Sequence, residues 1–162
     1  CLQGGGSWTA LESYDRPAVL LLVAAEGRRV PVLLREVLGS QVKITLDDHD
    51  MEVPIADLKR HWFGEYRLLW KTPPNGSISL SYGERSADVK WLREQLQRAT
   101  GLTSIAPDPM VFDAGLKELV QTFQRERELN ADGVAGARTF INLNNLGTQP
   151  SVPRLGARGL SG

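Results

Sequence analysis

At Thr72-Pro73-Pro74-Asn75-Gly76-Ser77 the hydrophobic pattern of the chain changes period, and one kind of secondary structure cannot serve both sides of that break. Two prolines remove backbone donors and fix the chain direction, and Asn-Gly readily forms a turn. Before the break, apolar residues come in short β-branched runs; after it they recur at helical spacing. The reading is an α+β chain: an antiparallel β-rich lobe over residues 1–72, a linker over 73–77 and a small three-helix domain over 78–146. The tail, 147–162, has much Gly, Pro and Ser without periodicity and is expected to be disordered or docked irregularly.

Composition removes several classes of function. The 162 residues are 41% hydrophobic, enough for a packed core. Lys plus Arg number 19 and Asp plus Glu 19, and the balance holds within each part: 9 basic and 10 acidic groups up to residue 76, 10 and 9 after it. A nucleic-acid module would carry a basic excess. The apolar run Ala18 to Ala25 is eight residues long, against about 20 for a membrane-spanning helix. One cysteine, Cys1, excludes a disulfide framework and a multi-thiolate zinc site, and no cofactor is expected. The chain does not begin with methionine, so it reads as a processed form or an excised fragment. Cys1 is then either a boundary residue or the lipidated first residue of a mature lipoprotein.

In the first part, Arg16–Val23, Val30–Val37, Gln41–Leu46 and Tyr66–Trp70 read as strands. Val42, Ile44 and Leu46 alternate with Gln41, Lys43 and Thr45, as one buried and one wet face require. Leu38-Gly39-Ser40 is a hairpin connection, and short helices are expected over Ser7–Ser13 and Ile55–Trp62. Gln3-Gly4-Gly5-Gly6 is expected to be flexible. His49, in the acidic turn Asp47-Asp48-His49-Asp50, and His61 are expected at the surface. Asp47, Asp48 and Asp50 lack the spacing of a twelve-residue calcium loop, so no metal site is assigned. In the second part, helices are expected over Val89–Thr100, started by Asp88 and ended by Gly101, over Ala114–Arg127 and over Gly136–Leu146.

Val89-x-x-Leu92-x-x-x-Leu96, Leu119-x-x-x-Phe123-Gln124 and Leu129-x-x-Asp132-Gly133-x-x-Gly136-x-x-Thr139-x-x-x-Leu143 together resemble the three-helix peptidoglycan-binding domain of bacterial wall enzymes. Three positions depart from its pattern: Arg93 stands for a glutamine, Asp113-Ala114-Gly115 for a second Asp-Gly turn, and Glu128 for a glycine. A left-handed residue 128 would cost of order 1 kcal/mol with glutamate there. The same fold serves as the pro-segment of matrix metalloproteases, but that role needs a zinc-capping cysteine, and Pro153-Arg154 is followed by Leu155. The resemblance implies peptidoglycan as ligand, met by Arg93, Gln124 and the Asp132-to-Thr139 turn, with Tyr82 and Arg85 as a rim. Asp132, Gly133, Gly136 and Thr139 are expected to hold the turn more than to touch ligand. Arg93 and Gln124 are expected to affect binding with the fold retained.

Arg16-Pro17-Ala18-Val19-Leu20, Val32-Leu33-Leu34, Val42-x-Ile44-x-Leu46-Asp47 and Leu58-x-x-x-Trp62-x-Gly64-Glu65-Tyr66 resemble the β-lobe of papain-like bacteriocin-processing cysteine peptidases. That resemblance puts Arg29 at the catalytic histidine position and Asp47 at that of its orienting aspartate. The nucleophile would lie upstream. Arginine, with a pKa of roughly 12.5 or more, cannot act as general base, so a non-catalytic lobe is expected. The alternatives are a fragment of a cysteine peptidase or wall amidase, or a purely protein-interaction module. The pairing of the two lobes resembles the periplasmic C-terminal region of the general secretion pathway protein A family, inner-membrane ATPases of type II secretion. The resemblance implies a periplasmic location, with general secretion pathway protein B, the secretin and peptidoglycan as partners. Trp91 lies about 150° from the apolar stripe of its helix at 100° per residue. It is expected to meet the other lobe, or else a partner or glycan.

Overall fold

Alternation of Val42 and Ile44 with polar neighbours places them on the buried face of a strand, and the sheet is built outward from there. The computed structural model describes residues 2–146 and 154–156. Its elements divide into two compact units. The first comprises residues 2–69 with 154–156, and the second residues 70–146.

The first unit is a six-stranded antiparallel sheet: β1 (Leu2–Gly5), β2 (Ala18–Val23), β3 (Arg29–Leu38), β4 (Gln41–Leu46), β5 (His49–Pro54) and β6 (Trp62–Leu68), in the order β1-β6-β2-β3-β4-β5. Two short helices, α1 (Trp8–Ser13) and α2 (Ile55–His61), accompany it. Ser7 caps α1 by accepting from the Ala10 N–H. Leu11, Leu20, Val32, Leu34, Val42, Ile44, Leu58 and Leu68 form the buried interior. At one end Trp62 meets Trp8 edge to face, with ring centroids 5.9 Å apart.

Two expectations for this unit are corrected, and the two alternatives left open for the tail are narrowed to irregular docking where it is described. Residues 3–5 are not loose: they pair with Glu65–Arg67 of β6. Gly64 makes that approach possible. Its φ is +93°, and a Cβ there would stand 2.8 Å from the Gly6 carbonyl oxygen. His49 and Asp50 are not in a turn but open β5, paired with Leu46 and Thr45. The turn is Asp47-Asp48, both left-handed (φ 46° and 63°), which is the two-residue hairpin geometry that twisted strands favour. The tail is ordered where described, with Leu155 buried and its carbonyl bound by the Val37 N–H at 2.7 Å. The remainder of 147–162 lies outside the described residues.

The second unit holds α3 (Ala87–Thr100), α4 (Ala114–Glu126) and α5 (Ala137–Leu146). Leu92, Leu96, Phe112, Leu116, Val120, Phe123 and Phe140 fill its core. Ser86, not Asp88, caps α3, accepting from the Val89 N–H; Asp113 caps α4, and Gly101 in left-handed conformation closes α3. The boundary falls before the prolines. Trp70 leaves the strand pattern to stack on Phe140 at 5.6 Å, and the Lys71 carbonyl accepts from Asn144 Nδ2. Residues 73–77 are thus part of the helical unit.

Candidate functional site

The helical unit is organised by three buried polar side chains, each hydrogen-bonded within its own unit. Asp88, in the first turn of α3, is fully buried. It accepts from the N–H and Nδ2 of Asn75 and from the N–H and Oγ of Ser77 at 2.6–3.1 Å. Burial alone would raise its pKa. The Ser77 hydroxyl and the Asn75 and Ser77 amides outweigh that and hold it below the ordinary carboxylate value. The Pro-Pro-Asn-Gly-Ser segment is thereby clamped onto the start of α3.

Arg93 is 4% exposed. Its Nη1 donates to Ser104 Oγ, and its Nη2 donates to the Val111 carbonyl and to Asp113 Oδ1 at 2.8 and 3.1 Å. Asp113 meanwhile accepts from the Leu116 N–H as the α4 cap. Burial pushes the Asp113 carboxyl up, but the Leu116 amide and the Arg93 guanidinium bring it below its usual range. A neutral glutamine could not supply that charge. Arginine in the place of the family's glutamine therefore anchors the connection from α3 to α4.

Gln124 is 3% exposed. Its Nε2 donates to the Val134 carbonyl at 2.9 Å, to Asp132 Oδ1 at 3.1 Å and to Thr139 Oγ1 at 3.3 Å, and its Oε1 accepts from the Gly133 N–H at 3.0 Å. Asp132 Oδ1 also accepts from the Val134 N–H. Gly133 has φ +77°, and a Cβ there would stand 2.8 Å from Lys117 Cγ, so the turn needs glycine twice over. Upstream, Glu128 is left-handed (φ 55°). It closes α4 with the paired bonds of a Schellman end, Leu129 N–H to the Gln124 carbonyl and Glu128 N–H to the Arg125 carbonyl.

These positions give the expected binding residues partners within the fold. Arg93, Gln124, Asp132 and Thr139 face inward or spend their polar atoms on the fold, because each satisfies backbone or side-chain groups that would otherwise be left unpaired. Thr139 helps hold the turn by accepting from Gln124. Tyr82 is 64% exposed, as a rim requires, and Arg85 forms an exposed ion pair with Asp108 at 3.0 Å. Trp91 is half-buried against Phe140 at 6.2 Å, within its own unit.

An open feature of this unit lies elsewhere, in a cleft of about 380 Å³ lined by Leu102, Ser104, Ile105, Gly115, Glu118 and Thr122 among others. Ile105 is 90% exposed. Aliphatic surface beside a carboxylate and hydroxyls suits a ligand that combines methyl groups with amides or sugar hydroxyls. The signal was present in the sequence: Leu102 and Ile105 are large apolar residues in a non-helical connection.

In the β unit, Arg29 forms an exposed ion pair with Glu65 at 3.0 Å. Asp47 sits in the β4–β5 turn. Asp50 is taken up by Thr45 Oγ1 at 2.6 Å and Arg35 Nη1 at 2.7 Å. His49 and His61 are exposed. Among the described residues no group of three or more metal-ligating side chains converges, and no helix is long and apolar enough to cross a membrane.

The family described as "Putative peptidoglycan binding domain" matches residues 85–143, within the helical unit. General secretion pathway protein A of Aeromonas hydrophila is 32% identical over 157 residues, 96% of this chain and 28% of that protein. A protein of Escherichia coli (strain K12) named as a general secretion pathway protein A is 26% identical over 88% of this chain and 29% of its own length. The chain thus spans under a third of the curated relatives it matches. A crystal structure of a periplasmic domain of the EpsAB fusion protein of the Vibrio vulnificus type II secretion system shares the fold. Its TM-score is 0.59 at 27% identity, over 94% of this chain and 66% of that one. With similarity running along nearly its whole length and a peptidoglycan-binding domain matched in its helical unit, the chain is similar to a region of general secretion pathway protein A that carries such a domain.

Proposed function

We propose that this chain is the non-catalytic, periplasmic wall-binding part of a type II secretion protein. The helical unit holds peptidoglycan and the β unit offers a protein-interaction surface. General secretion pathway protein B and the secretin are its partners, and its task is to help the secretin assemble through the wall. The parent protein is anchored in the inner membrane. One observation carries the reading: the peptidoglycan-binding match falls on a unit whose signature residues, Gln124, Asp132, Gly133 and Thr139, all have internal partners. Stem peptides and glycans then meet the outer surface of the unit: the cleft at Leu102–Ile105 and α4, whose loop Arg93 holds through Ser104, together with the exposed Tyr82 and Arg85.

Absence of catalysis is supported by Arg29, which stands where the peptidase resemblance places a histidine and is engaged with Glu65. Co-sedimentation with purified sacculi tests the main reading. The parent chain is expected to pellet with the wall, and Ile105→Asp with Thr122→Glu to reduce pelleting severalfold while the helical circular-dichroism signal stays. A parent chain that remains in the supernatant refutes wall binding. Peptide or wall hydrolysis by a longer form carrying an upstream cysteine, surviving Arg29→Ala, refutes the non-catalytic assignment.

A further inference from the structure

β3 outruns the strand beside it. Its pairing with β2 stops at Ala18 opposite Leu34, because the chain turns away at Asp15, whose φ of 49° is left-handed. On that side residues 35–38 of β3 have lost their neighbour, while on the other they run along β4. Unpaired backbone at a strand edge is a template for a further extended segment. In this chain the template is taken by Arg154-Leu155-Gly156. The Val37 N–H donates to the Leu155 carbonyl at 2.7 Å, and Gly156 forms a parallel bridge with Val37.

Asp15 completes the seat. Its Oδ1 accepts from the Leu155 and Gly156 N–H groups at 3.2 and 3.0 Å, and its Oδ2 accepts from Arg154 Nη1 at 2.8 Å. Leu155 is 2% exposed. Recognition therefore rests on three main-chain bonds, one ion pair and one buried leucine. None of these requires that the segment be covalently part of this chain. Arg154 also lines an open groove of about 790 Å³, whose other walls include Pro17, Leu33, Arg35, Lys43 and Asp50.

The geometry points to a peptide-docking site on the β unit: an extended protein segment with a basic residue followed by leucine adds to the β3 edge beside Asp15, and the chain's own residues 154–156 occupy that site in cis. A tethered segment competes at an effective concentration on the order of millimolar. An external peptide with the same contacts therefore binds the parent chain weakly and binds well once the tethered copy is disabled. The proposal does not depend on wall binding by the other unit.

The test uses the full chain and a fluorescein-labelled peptide of residues 150–160, read by fluorescence anisotropy. Leu155→Asp in the chain vacates the seat. That variant is expected to bind the peptide saturably and at least tenfold more tightly than the parent does. Adding Asp15→Asn to it should weaken binding at least tenfold, and the same peptide carrying Leu155→Asp should not bind. Arg154→Glu is the second vacating variant should the first not fold. No saturable binding to either variant overturns the proposal, as does equal affinity for parent and vacated chains, which would put the peptide elsewhere. Dimerisation of the parent through exchanged tails, seen as doubled mass in light scattering, would assign the seat to a second copy and overturn the choice of a partner segment. Sacculus co-sedimentation is expected to be unchanged in all variants, so failure here is distinguishable from failure of the wall-binding reading.

Discussion

Removing the Gln124 amide should unfold the peptidoglycan-binding unit before it changes any binding contact. The shortest of its bonds, to the Val134 carbonyl at 2.9 Å and from the Gly133 N–H at 3.0 Å, lie in the interior of the turn. Gln124→Ala deletes both, at about 1 kcal/mol net each, and leaves the buried Gly133 N–H unsatisfied at a further ~1–3 kcal/mol. The total is roughly 3–5 kcal/mol, a large share of the ~4–12 kcal/mol that a unit of this size has. At about 4–8 °C per kcal/mol, the melting temperature of the helical transition should fall by more than about 12 °C. Thermal circular dichroism at a helical wavelength reads this directly. Gln124→Glu keeps an acceptor for Gly133 but sets a buried carboxylate against the Val134 carbonyl and Asp132 Oδ1, so it should destabilise at least as much as Gln124→Ala. An unchanged melt for Gln124→Ala together with lost sacculus binding would show that the amide touches ligand, and would refute the internal role derived for it.

Three further outcomes follow from particular residues. Asp88 and Asp113 are both held below the ordinary carboxylate pKa, so their contribution is present above about pH 4 and is lost as pH falls through the lowered folded values. Acid titration followed by circular dichroism should show the helical unit weakening in that window, and Asp88→Asn should flatten the slope while lowering stability at neutral pH. Glu128→Gly relieves a left-handed glutamate at φ 55° and should stabilise the unit by about 0.5–1 kcal/mol, seen as a higher melting temperature; a decrease would refute the strain argument. Gly64→Ala places a methyl 2.8 Å from the Gly6 carbonyl and should detach β1 from β6, which hydrogen exchange at residues 3–6 would report as lost protection. Wild-type protection there would show that the backbone accommodates the methyl.

The division into a β part and a helical part was legible because it rests on local periodicity. Val42-x-Ile44 has a dry face only as a strand, and Val89, Leu92 and Leu96 share a face only as a helix. Gly101 and the Asp132-Gly133 turn were likewise readable, since left-handed backbone is a property of one residue and its neighbours. Other features depend on what the chain meets after folding. Gln3-Gly4-Gly5 carries no strand propensity and becomes β1 only because β6 offers an edge that a glycine at 64 leaves open. Trp91, outside the apolar stripe, is covered by Phe140 from another helix. Arg93 and Gln124 look like surface polar residues in one dimension. Their partners stand 8–20 residues away, and burial makes those hydrogen bonds obligatory, so groups that read as ligand contacts become internal braces. Arg154-Leu155-Gly156, in a stretch without pattern, is ordered by Asp15 roughly 140 residues earlier. Periodicity and turn chemistry act between near neighbours and can be read along the chain, whereas the fate of a buried polar group is set by whichever distant donor or acceptor the tertiary fold brings to it.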